Sequence, residues 1–289
     1  MAEPNKKRHF KKFTRRNFLK QNALALAGTP LLKAKAFCTA AENTGLKEVF
    51  KNDFKIGTAI GTNTLLNNDR EMLNLVAREF NAVTAENAMK WGNIHPAEDQ
   101  WNFEAADRLM EFGLQNDMFI QGHVLVWHSQ VPNHLFTNKH GNQISKTELT
   151  GRMKDHITAL VGRYKGKIHG WDVVNEAITP EEGFRKSPWF EILGPRFMEK
   201  AFHFAHEADP DAHLIYNDYG MDNPKRRDLI VDLVKRYKRE GIPIHGIGMQ
   251  GHFNLDSPSI KAIEKSIEAF ASTGMRVHIT ELDVDVLPF

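Results

Sequence analysis

The 289-residue sequence holds one cysteine, Cys38, so an intramolecular disulfide is excluded and the domain has to be held together by its core. No run of about 18 or more apolar residues occurs, which excludes a permanent membrane-spanning helix. Net charge is small as well: 38 Lys and Arg against 36 Asp and Glu leave a formal balance of +2, and the basic excess is packed into "KKRHFKK" and "TRRNFLK" near the N-terminus. The remainder is close to neutral or acidic, which argues against a nucleic-acid surface. A phosphate-cradling loop is missing too, because "GTAIGTNTLLNN" carries neither G-x-G-x-x-G spacing nor a P-loop. Beyond residue 41 there is no linker and no low-complexity stretch, so residues 41–289 read as one domain.

What is present begins with an address. "TRRNFLKQNALALAGTPLLKAKAFCTA" combines paired Arg15 and Arg16, a moderately apolar middle from Ala23 to Leu32, and small residues at Ala34-Lys35-Ala36 or Cys38-Thr39-Ala40 where a signal peptidase could cut. It resembles a twin-arginine export signal, which sets residues 1–40 apart and predicts a mature chain starting near residue 37 or 41 outside the cytoplasm. The bland alternative is a basic amphipathic helix of the mature protein. Lys35 and Phe37 are poor neighbours for a lipidated Cys38, so no lipid anchor is expected.

From there the chain alternates. β-rich runs at 55–61, 81–87, 119–127, 168–177, 213–220, 244–253 and 276–284 are separated by stretches of helical period such as "DRLMEFGLQND" and "DLIVDLVKRYKREG", the latter closing on Gly241. Repeated strand–helix alternation implies a parallel sheet with crossover helices, either an open doubly wound sheet or a closed barrel. Polar residues sit at the C-terminal end of nearly every run: Glu86 and Asn87, His123 and Trp127, Asn175 and Glu176, Asn217, Gln250 and His252, Glu281 and Asp283. A barrel gathers those ends on one face, where such folds carry their sites, so an α/β (β/α)8 TIM barrel is the preferred reading.

Two carboxylates, Glu176 in "VVNEA" and Glu281 in "HITEL", end the fourth and seventh runs. Across a barrel mouth two such groups can flank a sugar ring, one as a protonated acid and one ionised, which is the minimum for glycoside hydrolysis. Alternatively each is the structural partner of a buried Arg or Lys. His128 lacks a second ligand at metal-binding spacing, so no metal is expected. Gln250 and His252, two apart, are expected to face the same side of one strand.

"ENAMKWGNIHP", "GHVLVWHSQVP", "WDVVNEA", "YNDY", "MQGH" and "ITELDV" occur in that order, and from about residue 50 onward the chain resembles the endo-β-1,4-xylanases of glycoside hydrolase family 10. The resemblance implies a barrel of retaining hydrolases that need no cofactor, with Glu176 as acid/base and Glu281 as nucleophile. It places Asn175 near the sugar 2-hydroxyl, His252 and Asp283 behind Glu281, and Gln250 against a glutamate or the substrate. Glu86, Asn87, Lys90, His123 and Trp127 become clamps for the sugar before the cleaved bond, and Tyr219 a contact on the leaving side. Xylan is the implied partner, and the chain is read as a monomer without nucleic-acid or membrane partners. The alternatives are a β-glucanase or mannanase with the same pair, or a carbohydrate-binding protein without catalysis. Because the sequence stops at "ITELDVDVLPF", an incomplete barrel of seven strands is expected, open beside the Glu pair and weakly active or inactive as it stands, either a fragment of a longer enzyme that supplies an eighth strand or a truncated reading frame.

Overall fold

A computed structural model describes residues 44–287; Arg15, Arg16, Cys38 and the rest of the segment read as an export signal lie outside the described residues. Seven strands form one parallel sheet: β1 (Gly57–Ile60), β2 (Ala82–Ala85), β3 (Phe119–Val126), β4 (Gly170–Asn175), β5 (His213–Asp218), β6 (Gly246–Met249) and β7 (Arg276–Ile279). They pair in chain order, each with the next, and among the described residues β1 and β7 do not pair with each other. The sheet is therefore a (β/α)8 barrel left open, as the seven β-rich runs predict.

Six main crossover helices cover it: α1 (Arg70–Glu79), α2 (Glu104–Gln115), α3 (Lys146–Arg163), α4 (Phe197–Ala208), α5 (Pro224–Glu240) and α6 (Ile260–Ala271). Their starts are written into the chain. Asp69 accepts from the Met72 amide, Ser145 from Glu148 and Ser259 from Ala262, each a cap that stabilises its helix by about 1 kcal/mol. Asn223 caps α5 and Pro224 fills its first position, while Gly241, at φ +70°, ends it as the sequence predicts.

Burial is greatest at the centre of the sheet. All six residues of β4 are buried, and Trp171, Tyr216, Phe202 and Tyr237 pack between sheet and helices. At the edges the pattern loosens: β7 has no buried residue, and Leu255, Leu282, Val286 and Leu287 beside it are exposed apolar groups. This is the cost of a parallel edge without a neighbour. No helix of the described residues is long and apolar enough to cross a membrane.

The strands are shorter than the β-rich runs, and the difference falls where the polar residues are. Glu176 lies one residue beyond β4 and Glu281 two beyond β7. The expectation that Gln250 and His252 share one strand face is corrected: β6 ends at Met249, and Gly251, at φ +85°, turns the chain before His252 enters a separate two-stranded ladder with Asp283.

Candidate active site

The two glutamates flank the β5–β6 pair. The Glu176 amide donates to the Asn217 carbonyl at 2.9 Å, and the Glu281 amide donates to the Gln250 carbonyl at 2.8 Å, so each is fastened to the end of a neighbouring strand. Glu176 itself sits at φ +57°, a left-handed conformation that costs a side chain with a Cβ about 1 kcal/mol or more and is kept only where the surroundings enforce it.

Between the carboxylates runs a chain of three buried amides. Gln250 Nε2 donates to Glu176 Oε1 and to Asn175 Oδ1, both at 3.1 Å. Asn217 Nδ2 donates to Asn175 Oδ1 at 3.1 Å and to Glu281 Oε1 at 2.8 Å. Asn175 adds a longer bond to Glu176 Oε1 at 3.3 Å. Asn217 reaches Glu281 by passing over Gly248, where an added Cβ would fall 2.4 Å from Asn217 Oδ1. Neutral donors in a site this buried hold both glutamates in place without a compensating full charge.

The two ends of this chain differ. Glu281 also faces His252, whose Nε2 lies 3.3 Å from Oε2 and whose Nδ1 lies 3.0 Å from Asp283. An imidazole backed by a carboxylate is a strong donor toward an ionised glutamate. Glu176 is the more enclosed, with its side chain 15% exposed against 31% for Glu281. Its nearest ring, His128, is 4.0 Å away, and burial, reinforced by Arg185, holds that imidazole below the usual histidine range. The charge of Glu176 opposes that shift.

β2 and β3 supply the neighbouring wall. Glu86 and Asn87 follow β2 directly, and Lys90 Nζ donates to Asn87 Oδ1 at 3.0 Å while lying 5.2 Å from the centre of the Trp127 ring. Burial lowers the Lys90 pKa, and Glu281, Glu86 and Glu176 oppose that shift, which puts the ammonium within electrostatic reach of both candidate catalytic groups. His123 Nδ1 is 2.8 Å from Asp172, whose other oxygen accepts from Gln121 at 2.9 Å, so the ring is locked. The Trp127 carbonyl accepts from Trp189 Nε1 at 2.8 Å, and among the described residues the Trp127 indole N–H has no partner. A planar apolar face with a polar edge and a cation beside it suits a pyranose. Tyr219 is linked to Glu176 through Arg185, which donates to the Tyr219 hydroxyl at 2.9 Å and to the Glu176 carbonyl at 2.7 Å, and the Tyr219 ring lies under Arg226 at 4.3 Å.

Of the residues singled out in the sequence, Glu176, Glu281, Asn175, Gln250, His252 and Asp283 share one hydrogen-bond network, joined through Asn217, while Asn87, Lys90 and Trp127 are linked to one another beside it. Asp172, the bridging role of Asn217, and Arg185 were missed. A carboxylate inside the apolar run "WDVVN" is itself a signal, because a buried charge requires a partner.

A model of glycosyl hydrolase family 10 matches residues 45–288. Endo-1,4-beta-xylanase A of Xylanibacter ruminicola is 46% identical, aligned over 84% of this chain and 66% of its own length. The beta-1,4-xylanase of Dictyoglomus thermophilum is 44% identical over 85% of this chain and 67% of its own. The solved structure of an endoxylanase of the same family from a sugarcane soil metagenome superposes with a TM-score of 0.83 at 54% identity, covering 85% of this chain and 71% of that one. The chain spans about two thirds of the length of these curated relatives.

Proposed function

The chain belongs to glycosyl hydrolase family 10, and on that premise we propose that it hydrolyses internal β-1,4-xylosidic bonds of xylan with retention of configuration. The observation that carries this reading is the unequal surroundings of two glutamates joined by one amide chain. Glu281, which faces the histidine–aspartate pair and accepts from Asn217, is placed to attack the anomeric carbon. Glu176, more enclosed and with its carboxyl accepting from the Asn175 and Gln250 amides, is placed to pass a proton to the departing oxygen. After the glycosyl–enzyme bond forms, the same Glu176, now ionised, takes a proton from water as that water breaks the bond. Lys90, Asn87, Glu86, His123 and Trp127 hold the sugar on the side of the bond that stays with the enzyme. Tyr219 and Arg185 face the part that leaves.

The test is the dependence on the leaving group. Glu176→Ala is expected to lose xylan hydrolysis by about a hundredfold or more while retaining first-step attack on 2,4-dinitrophenyl glycosides, which need no acid. Equal losses on both substrates would reject the assignment.

A further inference from the structure

The left-handed backbone at Glu176 has to be held, and the groups that hold it come from β5. Immediately after Glu176 the chain turns, and the amides of Ala177 and Ile178 both point at one atom, the phenol oxygen of Tyr216, at 3.1 and 3.0 Å. The Tyr216 hydroxyl donates its own hydrogen to Asp218 Oδ2, which also lies 3.4 Å from the Ile178 amide. Asp218 Oδ1 accepts from the Tyr219 amide at 2.9 Å. Neither Tyr216 nor Asp218 is exposed to solvent. On the other side of the turn, Arg185 Nε donates to the Glu176 carbonyl at 2.7 Å and the Arg185 amide to the Ala177 carbonyl at 2.8 Å.

A phenol that accepts two amides has one hydrogen left to give, and an ionised carboxylate at that spot fixes where it goes. The carboxylate is kept there at a cost. Burial pushes Asp218 up to about 6 despite the hydrogen bond from Tyr216 and the charge of Arg226. A pair maintained against desolvation, one residue away from a catalytic side chain with a strained backbone, is placed to aim that side chain.

We propose that Tyr216 and Asp218 are positioning residues for Glu176: the phenol gathers the two amides beyond the left-handed residue, and the carboxylate locks the phenol, so that the turn directs the Glu176 carboxyl toward the leaving oxygen. The proposal rests on the assignment of Glu176 as acid/base. Neither residue touches the reacting atoms, and their action passes through the backbone.

The experiment compares Tyr216→Phe, Asp218→Asn and Glu176→Ala in the full chain on two aryl xylobiosides, one with a 2,4-dinitrophenyl and one with a phenyl leaving group, using kcat/KM as the measure of the first step. Tyr216→Phe and Asp218→Asn should each lose about tenfold or more on the phenyl substrate and less than about threefold on the dinitrophenyl one, because only the former needs an aligned acid. An equal loss on both substrates, or no loss on either, overturns the proposal when Glu176→Ala itself shows the split. If Glu176→Ala shows no split, the acid assignment falls and the positioning role falls with it. Amide hydrogen exchange gives a readout that does not depend on turnover. Exchange at Ala177 and Ile178 should rise at least about tenfold in Tyr216→Phe while the β4 amides stay protected. Unchanged protection at those two amides would overturn the proposal even in a variant that folds normally.

Discussion

Asn217 donates to Glu281 at 2.8 Å across the backbone of Gly248, with no side chain in between. That crossing makes a glycine on β6 part of the support of Glu281. Gly248→Ala should displace the Asn217 amide and lower kcat/KM on xylan by about 10 to 100-fold, the range for losing one hydrogen bond to a charged group. Asn217→Ala should cost about as much, and the double variant little more than either. Additive losses in a steady-state comparison of the three would mean that Gly248 acts by some other route.

The histidine between Glu281 and Asp283 gives a second cycle. Asp283 is 3.0 Å from His252 Nδ1 while the other ring nitrogen faces Glu281 at 3.3 Å, so Asp283 acts on Glu281 through the ring. His252→Ala should reduce kcat/KM by about tenfold or more, Asp283→Asn by less, and adding Asp283→Asn to His252→Ala should change nothing further. A double variant clearly worse than His252→Ala would show a separate role for Asp283.

At the opposite end of the sheet, His213 Nε2 lies 3.3 Å from His278 Nε2, and the His245 ring lies 5.6 Å from that of His213. Burial, with help from His278, His245 and Arg276, holds His213 at about 4, below its unfolded value near 6.5. The unfolded chain therefore takes up a proton first on acidification, so stability is lost as pH falls from about 6.5 toward about 4 and is full above that window. Screening of a partly exposed ring leaves an effect of about 1–2 kcal/mol. His213→Gln should flatten the fall in melting temperature between pH 6.5 and 4; an unchanged slope would assign the acid sensitivity elsewhere.

We propose that Arg15 and Arg16 direct export of the folded chain, on the strength of the sequence motif alone. Replacing both by Lys should leave precursor inside the cell, as read by immunoblot of fractions. Exported material that still begins at Met1 would contradict a cleaved signal.

The alternation of β-rich and helical runs made the seven strands and their order legible, because parallel strands buried on both faces read as apolar runs between amphipathic helices. The same property hid the strand faces. Tyr216, Asn217 and Asp218 are equally buried, and nothing in "YNDY" tells that Asn217 turns toward Asn175 and Glu281 while Tyr216 and Asp218 hold the chain after Glu176. The split between Gln250 and His252 was unreadable for a local reason: period-two reasoning fails at Gly251, where the chain leaves the strand. Asp172, four residues before Glu176, is legible in physical terms, because a charge in a buried strand calls for a partner such as His123.

The division of labour between the two glutamates is tested most directly by trapping the covalent intermediate, which needs a single attack and no turnover. Incubation of the chain with 2,4-dinitrophenyl 2-deoxy-2-fluoro-β-xylobioside, followed by proteolysis and mass spectrometry, should find one sugar adduct on the peptide containing Glu281, absent in Glu281→Gln. An adduct on Glu176, or release of dinitrophenol with no adduct on Glu281, would contradict the assignment of nucleophile and acid.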